Sequence, residues 1–264
     1  MTTSLLSLPP ELHEKIFFKL ATYLDLFSCL LICRALFPEA ERVLYGRFLL
    51  GSVLNHRAAL GALTRIVNTP HLAQHLKELI ITPELEKPLV GTFLVPWPMI
   101  YQSAVNLRFL SLSHSDHLAY IADYHPFHLQ GFTLTANIAS NQDCVARLTT
   151  FLQTQSGLKR LAIWDEDVLF PQEIASNPNT FLPQIQTLLA SDRLAYQLFP
   201  GRRITWAHIN PSYNMRGALS PFASGALQTL TVVNIGSLAL FSSSYASLKY
   251  LRCIVDWVGF HLTN

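Results

Sequence analysis

The chain has 264 residues, half of them hydrophobic and only 14% charged, against ~25% charged in soluble domains. Its net charge of +2 is too small to direct it to nucleic acid or to an anionic membrane surface. The length admits two domains or one large one, and the shortage of charge implies a large buried fraction or exposed apolar surface.

Met1 to Ser7 carries no basic segment and no long apolar run, so no signal peptide is expected. No run reaches the ~18 apolar residues of a membrane span. Cys29, Cys33, Cys144 and Cys253 are scattered. Cys29 and Cys33 lie one helical turn apart inside an apolar run, with no second ligand pair for zinc. All read as reduced thiols of a cytoplasmic or nuclear protein.

Residues 8–37 hold the first elements. Leu8-Pro9 opens a short amphipathic run with Glu11, Leu12, Ile16, Phe17 and Leu20. Proline suits a first helical turn because its missing N–H would have no partner there. Glu11 and Glu14 near the start and Lys19 near the end follow the helix dipole. Asp25 is placed to cap a second helix over Leu26 to Cys33, and Arg34 begins a third segment. Three short helices make a poor core alone, so this apolar excess requires a partner surface.

These residues resemble the F-box, the adaptor-binding module of SCF-type ubiquitin ligases. Leu8-Pro9-Pro10-Glu11-Leu12 matches its opening Leu-Pro-x-Glu-Leu. Ile16 and Leu20 match the next apolar pair, and Asp25-Leu26 followed by Ile32-Cys33-Arg34 matches the Asp-Leu and Ile-Cys-Arg that close the motif. Leu44-Tyr45 is similar to a pair seen in fungal members. The gap from Leu20 to Asp25 is one residue longer than the family pattern. The resemblance implies that Leu8, Pro9, Leu12, Ile16, Leu20, Leu26 and Ile32 bind a Skp-type adaptor, and through it a cullin.

Residues 38–50 read as the third helix, with Ala40, Val43, Leu44 and Phe48 at helical spacing. Residues 53–68 read as a bridging helix that Pro70 ends. From residue 72 a Leu-x-x-Leu-x-Leu pattern recurs. It stands at Leu76/Leu79/Ile81, Leu107/Leu110/Leu112, Leu129/Phe132/Leu134 and Leu158/Leu161/Ile163. Further copies are Ile185/Leu188/Ala190, Ile204/Ala207/Ile209, Leu227/Leu230/Val232 and Leu248/Leu251/Cys253. The copies recur every roughly 20–30 residues, the period of leucine-rich repeats. One repeat cannot bury its own apolar face, whereas stacked neighbours bury a continuous core. The segment resembles an irregular leucine-rich repeat without the regular Asn position. Residues 144–152 and 181–189 are candidate returning helices. Pro83, Pro88, Pro96, Trp97 and Pro98 read as a rigid surface loop.

Parallel pairing of these strands would place the residues between the inward leucines in rows across one face. Phe109, Arg160, Trp206 and Tyr250 fall in one row with Gly131, Thr187 and Thr229. Arg252 shares the next row with His208 and Thr231, and Trp164 shares the one after with Ser191 and Asn210. Trp, Tyr and Arg dominate binding hot spots. Phe109, Arg160, Trp164, Trp206, Tyr250 and Arg252 are therefore the candidate target-binding residues, with Asp165-Glu166-Asp167 as a charged rim.

His114, His117, His125 and His128 make two His-x-x-His pairs, but between strands, with no regular helix to present them to a metal. They read as a solvated loop. Asp165-Glu166-Asp167 reads as a solvated turn rather than a cation site. No nucleophile elbow, phosphate-cradling loop, zincin motif or paired-cysteine zinc motif is present. Arg202-Arg203 is too short for a nucleic-acid patch.

The expected architecture is α/β: a trihelical F-box over residues 1–50, a bridging helix over 51–71, and an irregular leucine-rich-repeat solenoid with a parallel sheet over 72–264. The expected function is that of a substrate receptor in a ubiquitin ligase complex, with no enzymatic activity, cofactor, metal, nucleic acid or membrane of its own. The competing expectation is a non-catalytic scaffolding protein with F-box-like helices and no ligase role.

Overall fold

The computed structural model describes residues 8–19, 34–50, 56–82, 96–123, 125–210, 226–233 and 247–254. Helix α1 (Pro10–Phe18) starts after Pro9 and carries proline in its first turn. A 3-10 turn (Arg34–Leu36) leads into α2 (Phe37–Gly46). Phe17 packs with Leu36 and Ala40, and Val43 and Leu44 lie against them. The expected helix over 25–33, with its Asp25 cap, lies outside the described residues.

The third helix does not run to residue 50. It stops at Gly46, and Arg47–Leu50 forms strand β1, with Phe48 and Leu50 buried. Glycine is a poor helix residue, and Arg47 turns to extended backbone (φ −129°, ψ 117°). Arg47 then pairs with Glu78 of β2 (Glu78–Ile81), and its Nε reaches the Glu78 carboxylate at 3.0 Å. Between them lie α3 (His56–Asn68) and the short α4 (Pro70–His75), which begins at the proline that ends α3. Trp97 and Pro98 belong to no loop. Proline at the second position opens helix α5 (Trp97–Ser103).

The remaining strands are β3 (Phe109–Leu112), β4 (Gly131–Leu134), β5 (Arg160–Ile163), β6 (Thr187–Ser191), β7 (Trp206–Asn210), β8 (Thr229–Val233) and β9 (Tyr250–Ile254). Every expected leucine-pattern copy is a strand. Among the described residues the sheet has nine strands ordered β1 to β9 in sequence order, and β1 pairs with β2, and each of β4 to β8 with the next, in parallel. Returning segments include α6 (His117–Asp123), α7 (Gln142–Thr154), α8 (Gln172–Ala175) and α9 (Asp192–Leu198). Asn141 caps α7 by accepting from the N–H groups of Asp143 and Cys144, and Ser191 caps α9 through Leu194 N–H.

Residues 181–189 are not a returning helix. Leu182 has a positive φ of 53° and Pro183 follows it, and a residue before proline avoids the α region. Thr187 onward is already β6.

Contacts divide the chain into two compact units, residues 1–110 with 123–127, and residues 111–122 with 128–264. The first buries Leu63, Ile66, Leu72, Leu79, Ile81 and Tyr101. The second buries the inward row Phe132, Leu161, Leu188, Ala207 and Leu230, with Phe132 and Phe151 rings 5.5 Å apart. Each fully buried large side chain contributes ~1.5–3 kcal/mol. The row breaks at β9, where Leu251 is 46% exposed.

Backbone bonds lock the strand starts together. The carbonyl of Gln130 accepts N–H bonds from both Lys159 and Arg160, and that of Lys159 from Gln186 and Thr187. Gln186, Thr205 and Gln228 repeat this toward Trp206, Thr229 and Tyr250.

Arg202 has a structural job. Its buried guanidinium donates to the carbonyls of Ala175 (2.8 Å), Phe181 (2.9 and 3.2 Å), Leu198 (3.0 Å) and Pro200 (3.4 Å). Gly201 beside it has φ 73°, and a Cβ there would lie 2.7 Å from Pro178 Cγ, so the turn requires glycine. Among the described residues no helix is long and apolar enough to cross a membrane.

Candidate functional site

Two surfaces hold the residues singled out by sequence. On α1, Leu12 (41% exposed) and Ile16 (38% exposed) lie one turn apart and face out, while His13 and Phe17 turn inward. A helix places residues four apart on one face, so the exposed pair forms a stripe. Pro9 is exposed and Leu8 half-buried at its start. Leu20, Leu26 and Ile32 lie outside the described residues.

The second surface is the outward face of β5 to β9. The register runs Arg160↔Thr187↔Trp206↔Thr229↔Tyr250, so Arg160, Trp206 and Tyr250 share one row. Strands lie ~4.8 Å apart, which spaces these three by ~10 Å each. His208↔Thr231↔Arg252 is the next row. Arg160 and Arg252 are exposed, Trp206 is half-buried, and Tyr250 is 69% exposed. Phe109 is half-buried on β3. Trp164 follows β5 and is 49% exposed, on the solvent side that parity assigns it.

His208, which sequence reasoning left among the small residues of its row, sits at the centre. Its ring lies 6.1 Å from that of Trp164 and 6.3 Å from that of Trp206, stacked on the latter. Burial, and then Arg252, push its pKa below the usual histidine range. Trp164, Glu166, Leu189, Ser191, His208 and Asn210 line a shallow depression open to solvent. Its enclosed volume is only about 10 Å³, against ~300–1,000 Å³ for pockets that take cofactors and drug-sized molecules, so it is a shallow surface dent and not a small-molecule site.

The expected acidic rim divides into three different roles. Asp165 is buried, not rim: its Oδ2 accepts from the N–H groups of Ile138 (2.6 Å) and Ala139 (2.8 Å), and its Oδ1 from Asp167 N–H. Glu166 is exposed and accepts from Asn210 Nδ2 at 3.1 Å. Asp167 pairs with Arg193 at 3.3 Å.

The histidine-rich segment is not wholly a solvated loop. His117 begins α6 and is buried, and that burial pushes its pKa down to about 4. Among the described residues no group of three or more His, Cys, Asp or Glu converges as a metal ion requires. Arg202, read only as half of a basic pair, is the carbonyl clamp described above. Its partners lie up to 27 residues away, which no local pattern announces. Comparison with protein-family models and with curated proteins finds no match to this chain.

Proposed function

We propose that this chain is the substrate-recognition subunit of an SCF-type ubiquitin ligase, acting in the cytoplasm or nucleus. In this reading residues 8–48 are an F-box that docks on a Skp-type adaptor and through it on a cullin. The strands from residue 72 onward are an irregular leucine-rich-repeat solenoid that holds a target protein. The chain does no covalent chemistry. It raises the local concentration of the target's lysines near the conjugating enzyme.

The observation that carries the reading is the stripe on α1. The F-box-like residues Leu12 and Ile16 stay exposed, in motif order after Leu8-Pro9, instead of joining the Phe17 core. Exposed apolar stripes of this kind favour a protein partner.

The test is co-expression of the full chain with a Skp-type adaptor. Wild type should co-purify and gain solubility. Leu8→Ala with Pro9→Ala, and separately Leu12→Glu with Ile16→Glu, should abolish co-purification while far-UV circular dichroism stays unchanged. Adaptor binding unaltered in both variants, or absent in wild type, refutes the ligase reading and leaves a scaffolding role.

A further inference from the structure

Charge is not evenly spread along the strands of the second unit. At their amino-terminal ends the exposed charges are cationic, Lys159 and Arg160 at β5 and Lys249 at β9, while Arg252 is the middle residue of β9, in the His208 row. At the carboxy-terminal ends of β5 and β6 carboxylates predominate: Asp165, Glu166, Asp167 and Asp192, against Arg193. Arg193 engages Asp167, and Asp165 is occupied by backbone N–H groups. Glu166 is thus the exposed carboxylate bordering the depression, and Asn210 holds it there.

We propose that the depression formed by Trp164, Glu166, His208 and Asn210 receives a lysine or arginine side chain of the target, an inference that rests on reading this face as the target-binding surface.

Three features select a cation. The exposed ring of Trp164 offers a π face, which attracts ammonium and guanidinium groups. Glu166 supplies a negative charge at the same edge. The His208 imidazole, held below its usual pKa by burial and by Arg252, is neutral at pH 7.5 and does not repel the guest. The aliphatic stem of a lysine or arginine suits the half-buried, outward Leu189 in the floor, whereas Ile163 and Ala190 turn their side chains into the core. An acidic guest would face Glu166 and the negative ring faces.

The guest's fit depends on His208 staying neutral. The charged groups around His208 are Glu166 after β5 and Arg252 on β9, while β6 and β8 present Leu189 and Thr231 to it. Protonated His208 would place a second cation beside Arg252 and against the guest.

The experiment is a titration of the full chain, followed by tryptophan fluorescence at pH 7.5. The probes are the N-acetyl methylamides of lysine, arginine, norleucine and glutamate. Lysine and arginine amides should give a saturable change, and norleucine and glutamate amides none. Trp164→Ala and Glu166→Gln should each weaken lysine binding roughly two- to fivefold. An equal response to norleucine, a stronger one to glutamate, no saturation by either cation at on the order of 0.1 M, or unchanged affinity in both Trp164→Ala and Glu166→Gln overturns the proposal. None of these outcomes touches adaptor co-purification, so failure here is distinct from failure of the ligase reading.

Discussion

Replacing Arg202 with methionine tests whether the carbonyl clamp holds α8, α9 and the β7 entry together. The three shortest of its hydrogen bonds, to Ala175, Phe181 and Leu198, involve a charged donor and are each worth ~1.5–3 kcal/mol. Against them stands desolvation, which pulls the guanidinium pKa down to about 10 and corresponds to a cost of ~3 kcal/mol. Methionine fills much of the volume and removes that cost, but leaves buried carbonyls without donors. The balance is a loss of about 3–5 kcal/mol, a large share of the ~5–15 kcal/mol by which domains are stable. Urea unfolding at pH 7.5, followed by circular dichroism, reads the shift. Arg202→Lys should fall between, since an ammonium keeps the charge but loses the planar fork that spans several carbonyls. A loss below ~1 kcal/mol in Arg202→Met would refute the clamp, because the carbonyls would then be satisfied without it.

Acid should act through His117: its folded pKa of about 4 lies below the unfolded value of 6.5. The unfolded chain therefore binds the proton first, and stability present above pH 6.5 is lost as pH falls toward 4, by up to ~3 kcal/mol. His117→Gln should flatten that part of the stability–pH curve, and an unchanged slope counts against the assignment. Trp164→Ala should weaken target capture by ~2 kcal/mol without loss of fold or adaptor binding, measured by co-precipitation of the captured target. Capture at wild-type level would remove Trp164 from the surface. Asp165→Ala should cost ~2–3 kcal/mol by freeing the Ile138 and Ala139 N–H groups, and a thermal midpoint equal to wild type contradicts this. Hydrogen exchange should be faster in β9, where Leu251 is half-exposed, than in β5, and equal protection would show that β9 is covered as well as its neighbours.

The register of β4 to β9 was legible because each leucine pair anchors one strand and parity does the rest. Inward leucines at Leu161 and Ile163 dictate that Arg160 and Trp164 point out. β1 was hidden because its copy is aromatic, Tyr45/Phe48/Leu50, and because Phe48 also fits the helical spacing of α2. The roles of Asp165, Glu166 and Arg202 were out of reach for another reason. Glu166 meets Asn210 44 residues away, and Asp165 meets Ile138 27 residues away. Such partners are chosen by the parallel alignment of the strands, not by local sequence. His208 was visible as a residue beside Trp206 on one strand face, but its contact with the Trp164 indole exists only once β5 and β7 are aligned on β6.

The paired N–H bonds at each strand start involve backbone alone, and the inward row is what fixes the register. The outward side chains therefore contribute little to holding the sheet together. Arg160, Trp206 or Tyr250 can be exchanged for other residues while the strands beneath them stay in place. Such a face separates what must stay constant from what can drift, since its side chains can change singly while the strands beneath keep their register.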